Sequence, residues 1–252
     1  YEPVEVSCDG LDNDCDGEVD DDCAFCGKTV TRNLTFVGDV LNCPGNGLII
    51  AADNITIDCA SKSLTATFTG DTGISLTGRS GVTVKNCNIR GFYYGIALYS
   101  SSNNTLAGNN ISANENGIFL SSSNYNTLSG NLAEGNTYDG IEISNSFSNV
   151  VSNNQAFNQG RRGIYVSSGS HDNIIRSNTL AGNQNQGLYL HYSDNNTAYG
   201  NNISDNLAGI YVEFASNNSI SNNSIVNSQY LGVRMYSSPS TTLSYNLIAD
   251  SS

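Results

Sequence analysis

Residues 117–143 read Gly117-Ile-Phe-Leu, Ser121-Ser-Ser-Asn-Tyr-Asn-Thr-Leu-Ser-Gly, Asn131-Leu-Ala-Glu-Gly-Asn-Thr-Tyr-Asp, Gly140-Ile-Glu-Ile143. A Gly-apolar-x-apolar phrase opens the stretch and returns 23 residues later. Working outward, the phrase recurs as Gly95-Ile-Ala-Leu and Gly73-Ile-Ser-Leu before it. After it come Gly163-Ile-Tyr-Val, Gly187-Leu-Tyr-Leu, Gly209-Ile-Tyr-Val and Gly232-Val-Arg-Met, with glycines 22 to 24 residues apart throughout. A second phrase, Asn-x-apolar-x-x-Asn-x-apolar, keeps the same step, its second Asn falling at Asn109, Asn131, Asn154, Asn178, Asn201, Asn223 and Asn246. Two phrases holding one register over eight cycles are the signature of a repeat architecture.

Within each phrase apolar residues alternate, which is strand spacing. Strands this short cannot bury a face alone. Stacked coil upon coil, each pairs with its own copy above and below at roughly 4.8 Å, which predicts an all-β, single-stranded right-handed parallel β-helix of 22–24 residues per coil and 8–9 coils. Four interior columns follow. They run Ile74, Ile96, Ile118, Ile141, Ile164, Leu188, Ile210, Val233; then Leu76, Leu98, Leu120, Ile143, Val166, Leu190, Val212, Met235. The third is Val84, Leu106, Leu128, Val151, Ile175, Ala198, Ile220, Leu243, and the fourth Ile89, Ile111, Ala133, Ala156, Leu180, Ile203, Ile225, Ile248. The Asn register predicts a ladder of side-chain amides at a bend, Asn also being tolerant of left-handed turn backbone. Cys87 takes the first rung and Cys59 lies one coil earlier, so a Cys59–Cys87 disulfide is expected; Cys26 and Cys43 flank the first coil and are expected to pair.

Composition excludes whole classes. Of 252 residues 13% are charged and 38% hydrophobic, with 37 Asn, 25 Gly, one Met and no Trp; no helical bundle is written this way. No run of 18 apolar residues is present, so no membrane span is predicted. Residues 1–26 hold 10 of the 23 acids and no base, and the remainder, with 13 acids against 10 bases, is nearly neutral. With no basic stripe to meet phosphates, nucleic acid is an unsuitable partner. Seven Cys, all before residue 88, and eight Asn-x-Ser/Thr sequons (Asn33, Asn54, Asn103, Asn110, Asn195, Asn202, Asn217, Asn222) predict a secreted, extracellular or cell-surface setting with N-glycosylation. An odd cysteine count leaves one thiol free or bonded to another chain.

Residues 26–252 resemble the right-handed parallel β-helix repeats (PbH1 type) of archaeal and bacterial surface proteins and of the periplasmic copper-maturation protein NosD. Ile55-Thr-Ile-Asp-Cys, Val82-Thr-Val-Lys-Asn-Cys-Asn-Ile, Gly-Ile-x-Leu and the Asn register carry that resemblance. It implies the fold strongly and the function weakly, since such solenoids host lyases, hydrolases, epimerases, adhesins and surface-layer proteins. A NosD-like copper site would want His, Met and Cys together; His171, His191 and Met235 form no such cluster in the sequence.

The segment Cys8-Asp-Gly-Leu-Asp-Asn-Asp-Cys-Asp-Gly-Glu-Val-Asp-Asp-Asp-Cys23 places Asp12, Asp14, Asp16 and Asp20 at the spacing of a calcium loop, with Glu18 offering its carbonyl. Hard carboxylate oxygens suit Ca2+, so residues 1–26 are read as a calcium-binding segment and 27–252 as the β-helix. The segment lacks the bidentate Glu of an EF-hand and resembles the Asp-rich Cys-Asp-Gly motif of secreted microbial proteins and thrombospondin type 3 repeats.

The outward positions of the glycine phrase read Ser75, Ala97, Phe119, Glu142, Tyr165, Tyr189, Tyr211, Arg234, and two residues on stand His191 and Glu213. Glu142, Tyr165, Tyr189, His191, Tyr211 and Glu213 thus form a candidate glycan-binding face, combining flat rings with acceptors. Glu142 and Glu213 lie three coils apart, roughly 14 Å at strand spacing, too far to act as a glycosidase pair. The favoured expectation is a structural protein whose copies associate end to end or laterally through an open terminal coil. A carbohydrate-binding or carbohydrate-active module, and a periplasmic metal-delivery protein, are the alternatives.

Overall fold

The structure, a computed structural model, describes residues 25–249. All its regular elements are strands, every strand pair is parallel, and the strands collect into one sheet of eighteen and one of ten. One coil supplies Thr127–Ser129 to the smaller sheet and Leu132–Glu134 and Ile141–Ser144 to the larger; these pair with Val150–Ser152, Gln155–Phe157 and Ile164–Ser167 of the next. Leu128 sits on Val151, Ala133 on Ala156, Ile141 on Ile164 and Ile143 on Val166. The fold is the right-handed parallel β-helix that the periodicity predicts.

Each coil contributes one strand to the smaller sheet, so its ten strands mean ten coils, two more than the eight cycles of the glycine phrase. The extra two begin with Leu34–Thr35 and Thr56–Asp58. Their phrase, Gly47-Leu-Ile-Ile, pairs Leu48 with Ile74, a step of 26 residues that falls outside the 22–24 repeat.

The four columns are buried through nine-tenths of their length, most members with no exposed surface. At about 1.5–3 kcal/mol per buried aliphatic side chain this is the main favourable term. In the last described coil the expectation fails: Met235, Leu243 and Ile248 are 40%, 45% and 47% exposed, because no described coil stacks beyond them. The recurrent glycine has a steric reason. A Cβ on Gly117 would lie 2.3 Å from the Gly140 carbonyl oxygen, and one on Gly140 2.7 Å from that of Gly163.

The bends are more elaborate than a single ladder. The predicted one is present: Asn131 Oδ1 accepts from the backbone N–H (3.1 Å) and side-chain amide (2.9 Å) of Asn109, while its own amide donates to the Leu106 carbonyl and to Asn154 Oδ1. Two more run beside it, through Asn104, Asn126, Asn149, Asn173, Asn196 and Asn218, and through Asn114, Asn136, Gln159, Asn183 and Asn206. Ser101, Ser123, Ser146 and Ser170 make a hydroxyl version at a fourth bend. The left-handed backbone assigned to the ladder asparagines belongs instead to the residue before each, such as Gly108, Gly130, Asn153 and Ser177. The ladder residue itself turns inward and satisfies backbone groups that the bend removes from the sheets.

Both expected disulfides, Cys26–Cys43 and Cys59–Cys87, are formed. The Cys87 backbone N–H donates to Asn109 Oδ1, which is the predicted first-rung position. The sequon residues Asn103, Asn195 and Asn217 are exposed at left-handed turns.

Candidate functional site

The outward column is in direct register, with Phe119 on Glu142, Glu142 on Tyr165, Tyr165 on Tyr189, Tyr189 on Tyr211 and Tyr211 on Arg234. His191 and Glu213 pair in the neighbouring column. Strand spacing therefore brings the predicted face together, and it also decides what that face can do. The rings of Tyr165 and Tyr189 stack at 5.3 Å, those of Tyr189 and Tyr211 at 5.0 Å, and His191 lies 5.1 Å from Tyr189. Arg162 closes one end, its Cζ 3.7 Å from the Tyr165 centroid, and Arg234 the other, 4.9 Å from Tyr211. Stacked and capped in this way, the rings cover one another's faces. A ligand meets their edges and hydroxyls, so the ladder is a wall and not the stacking platform expected from the sequence.

Polar groups along that wall are mutually satisfied. Glu213 accepts hydrogen bonds from the hydroxyls of Tyr189 and, at 3.0 Å, Tyr211; the Tyr165 hydroxyl meets His191 Nδ1 at 3.1 Å. Burial opposes ionisation of Glu213, but the two tyrosine hydroxyls, with His191 and Arg234 nearby, outweigh it and hold the carboxyl below its ordinary range. Burial, then the Glu213 contact, pushes the Tyr189 hydroxyl up.

At the Arg162 end the wall runs into an open cleft of about 320 Å³. Tyr93 and Tyr94 come from one coil, Asn116 from the next, Tyr138, Asp139 and Glu142 from the third, and Arg161, Arg162 and Tyr165 from the fourth. Tyr94 stacks on Phe119 at 4.7 Å, and Ala97 has no exposed surface despite its outward register. Asp139, 3% exposed, accepts the Arg162 backbone N–H at 3.1 Å and lies 3.5 Å from its Nε. Burial raises the Asp139 pKa, with the Arg162 charge opposing. Glu142 has no such partner: burial first, then the Asp139 charge, pushes its carboxyl up to about 7, with Arg162 and Arg161 pulling back. Arg162 Nη1 is buried without a hydrogen-bond partner. The cleft therefore holds a carboxyl poised to give or take a proton near neutrality and an unused guanidinium donor, a combination typical of functional sites.

Of these residues the sequence reading had singled out only Glu142 and Tyr165. It missed Tyr94, Tyr138, Asp139, Arg161 and Arg162. The signal was the position before each glycine, which runs Thr72, Tyr94, Asn116, Asp139, Arg162, Gln186, Ala208 and changes from polar to charged where the cleft lies.

A family model described as "Periplasmic copper-binding protein (NosD)" matches residues 29–186 and, overlapping, 154–252. No curated protein matches the chain. Among solved structures, the periplasmic alginate epimerase AlgG is 18% identical with a TM-score of 0.65, over 80% of this chain and 50% of that one. DFA-IIIase from Arthrobacter chlorophenolicus A6 is 15% identical with a TM-score of 0.66, over 82% and 60%. The Dettilon tailspike protein (gp208) is 12% identical with a TM-score of 0.62, over 87% and 60%. The chain thus spans half to three fifths of these structures, and at such identities the likeness is one of fold.

The family's copper does not fit the described residues. No three His, Cys, Asp or Glu side chains among them come within reach of one ion. The four described cysteines are in disulfides, His171 stacks on Phe147 and contacts Asp172, His191 is engaged by Tyr165, and Met235 stands on the terminal coil. The calcium ligands read from the sequence, Asp12, Asp14, Asp16, Glu18 and Asp20, lie outside the described residues, as do Cys8, Cys15 and Cys23.

Proposed function

This chain belongs to the NosD family, and from that premise we propose that its β-helix binds carbohydrate in the Tyr94–Glu142–Arg162 cleft, with Glu142 as its acid–base group. One observation carries the reading: on a surface otherwise made of neutral Asn, Ser and Thr, aromatic rings, two arginines and a carboxyl held near neutral pKa converge on one concavity. Sugar sites combine apolar ring surface with a few fixed polar groups. The fold likeness to AlgG, DFA-IIIase and a tailspike supports the class, and the disulfides together with the family support a periplasmic or extracellular setting. A glycan array should show selective binding, weakened at least tenfold in Tyr138→Ala, a change on the cleft rim away from the core columns. An array on which nothing binds overturns the reading.

Self-association is a second reading, supported by the exposed column residues Met235, Leu243 and Ile248 of the last described coil. Sizing of the full chain should then give multimers that disperse in Leu243→Glu. A monomer at all concentrations, with and without chelator and reductant, refutes it.

A further inference from the structure

The charges in the cleft narrow the class of sugar. Arg161 and Arg162 are consecutive, and each lies against an aromatic ring, Arg161 Cζ 4.8 Å from the Tyr138 centroid and Arg162 Cζ 3.7 Å from that of Tyr165. A guanidinium held on a ring loses little freedom on binding and presents a planar fork that matches a carboxylate. Asp139 neutralises only one of the two, and Arg162 Nη1 remains without a partner although buried. With Glu142 protonated the cleft carries one surplus positive charge and an unused donor. A neutral sugar answers neither, whereas a carboxylate answers both.

We propose that the cleft binds an acidic oligosaccharide, a sugar bearing a carboxylate, through Arg161 and Arg162, and that Glu142 must be protonated for it to do so. The proposal rests on the carbohydrate reading and adds the chemical class of the ligand and its coupling to protons. The groups facing Glu142 are Tyr93 and Tyr94 from below, Tyr138 and Asp139 on its own coil, and Arg161, Arg162 and Tyr165 from above. Of these Asp139 opposes its ionisation and the arginines favour it. A bound carboxylate uses the arginines' charge and adds a negative one, so the Glu142 proton is held more tightly in the complex. Binding takes up a proton, and affinity falls by up to tenfold per pH unit above about 7.

The experiment is calorimetric titration of the full chain with a uronic-acid trisaccharide and with its carboxyl-reduced neutral counterpart, between pH 5.5 and 8.5. At pH 6 the acidic sugar should bind at least tenfold more tightly than the neutral one, with the difference shrinking above pH 7. Arg161→Gln, a change at an exposed side chain, should abolish the preference and leave neutral binding alone. Glu142→Gln should keep the preference and lose its pH dependence. Equal affinity for the two sugars overturns the acidic-ligand inference and leaves the carbohydrate reading standing. Binding of neither overturns both. A preference that is flat with pH in the unaltered protein removes Glu142 from the proposal.

Discussion

The amide ladders and the Asp139–Glu142–Arg162 cleft belong to the same coils and both place polar side chains in buried positions, yet they treat those groups in opposite ways. In the ladders, Asn154 Oδ1 accepts from the Asn131 backbone and side chain, and its amide donates to the Leu128 carbonyl and to Asn178 Oδ1, leaving nothing unused. In the cleft, Glu142 is buried beside a like charge and Arg162 Nη1 has no partner. Stability comes from closing every polar valence, and the cleft is where the fold leaves some open. That contrast locates function better than residue type, since asparagine far outnumbers any charged residue here.

The comparison breaks most visibly at the ladder. Asn154→Ala should cost about 3 kcal/mol in denaturant unfolding, because it orphans two donors and two acceptors at once. A cost near zero would mean that water or neighbouring rungs replace the amide, and the ladders would lose their structural role. The cleft should respond with the opposite sign. The Glu142 pKa of about 7 exceeds its ordinary 4.5, so the folded state retains a proton that the unfolded chain has released. Stability contributed by that proton is complete below pH 4.5 and is lost as pH rises through 7. Glu142→Gln should therefore stabilise by about 1 kcal/mol at pH 8, a figure reduced for the exposed part of the side chain, and by nothing at pH 4, read from melting curves at both.

The smallest effect belongs to the tyrosine wall, which lies between the two extremes. Tyr189→Phe removes one hydrogen bond to Glu213 and lets its carboxyl rise toward the ordinary range. A depressed carboxylate contributes stability above its unfolded pKa and loses it as pH falls through the folded value. The loss in Tyr189→Phe should be about 0.5 kcal/mol at pH 7 and vanish below pH 4. Titration of Glu213 by NMR gives the same answer independently, and an unshifted carboxyl would detach the wall from the electrostatics of the site.

Much of this was written in the residue order. The columns from Ile74 to Val233 and Val84 to Ile220, the Asn109–Asn246 ladder and the Cys59–Cys87 bridge follow from a repeat of 22 to 24 residues, because parallel stacking maps sequence period onto space with no further information. The Gly47 phrase escaped that logic because its step of 26 residues breaks the period. The cleft was half legible: Glu142 and Tyr165 stood out in the outward column, and Asp139 and Arg162 did not.

Sequence alone therefore determined the winding, the core and the bends of this protein, since each depends on like residues recurring at one interval. Tertiary structure alone decided that the tyrosine faces cover each other, that Tyr94 and Tyr138 enclose Glu142, and that Asp139 occupies only part of Arg162. Those outcomes depend on departures from the repeat in four neighbouring coils, and on burial and charge summed across them, quantities that no single interval in the chain encodes.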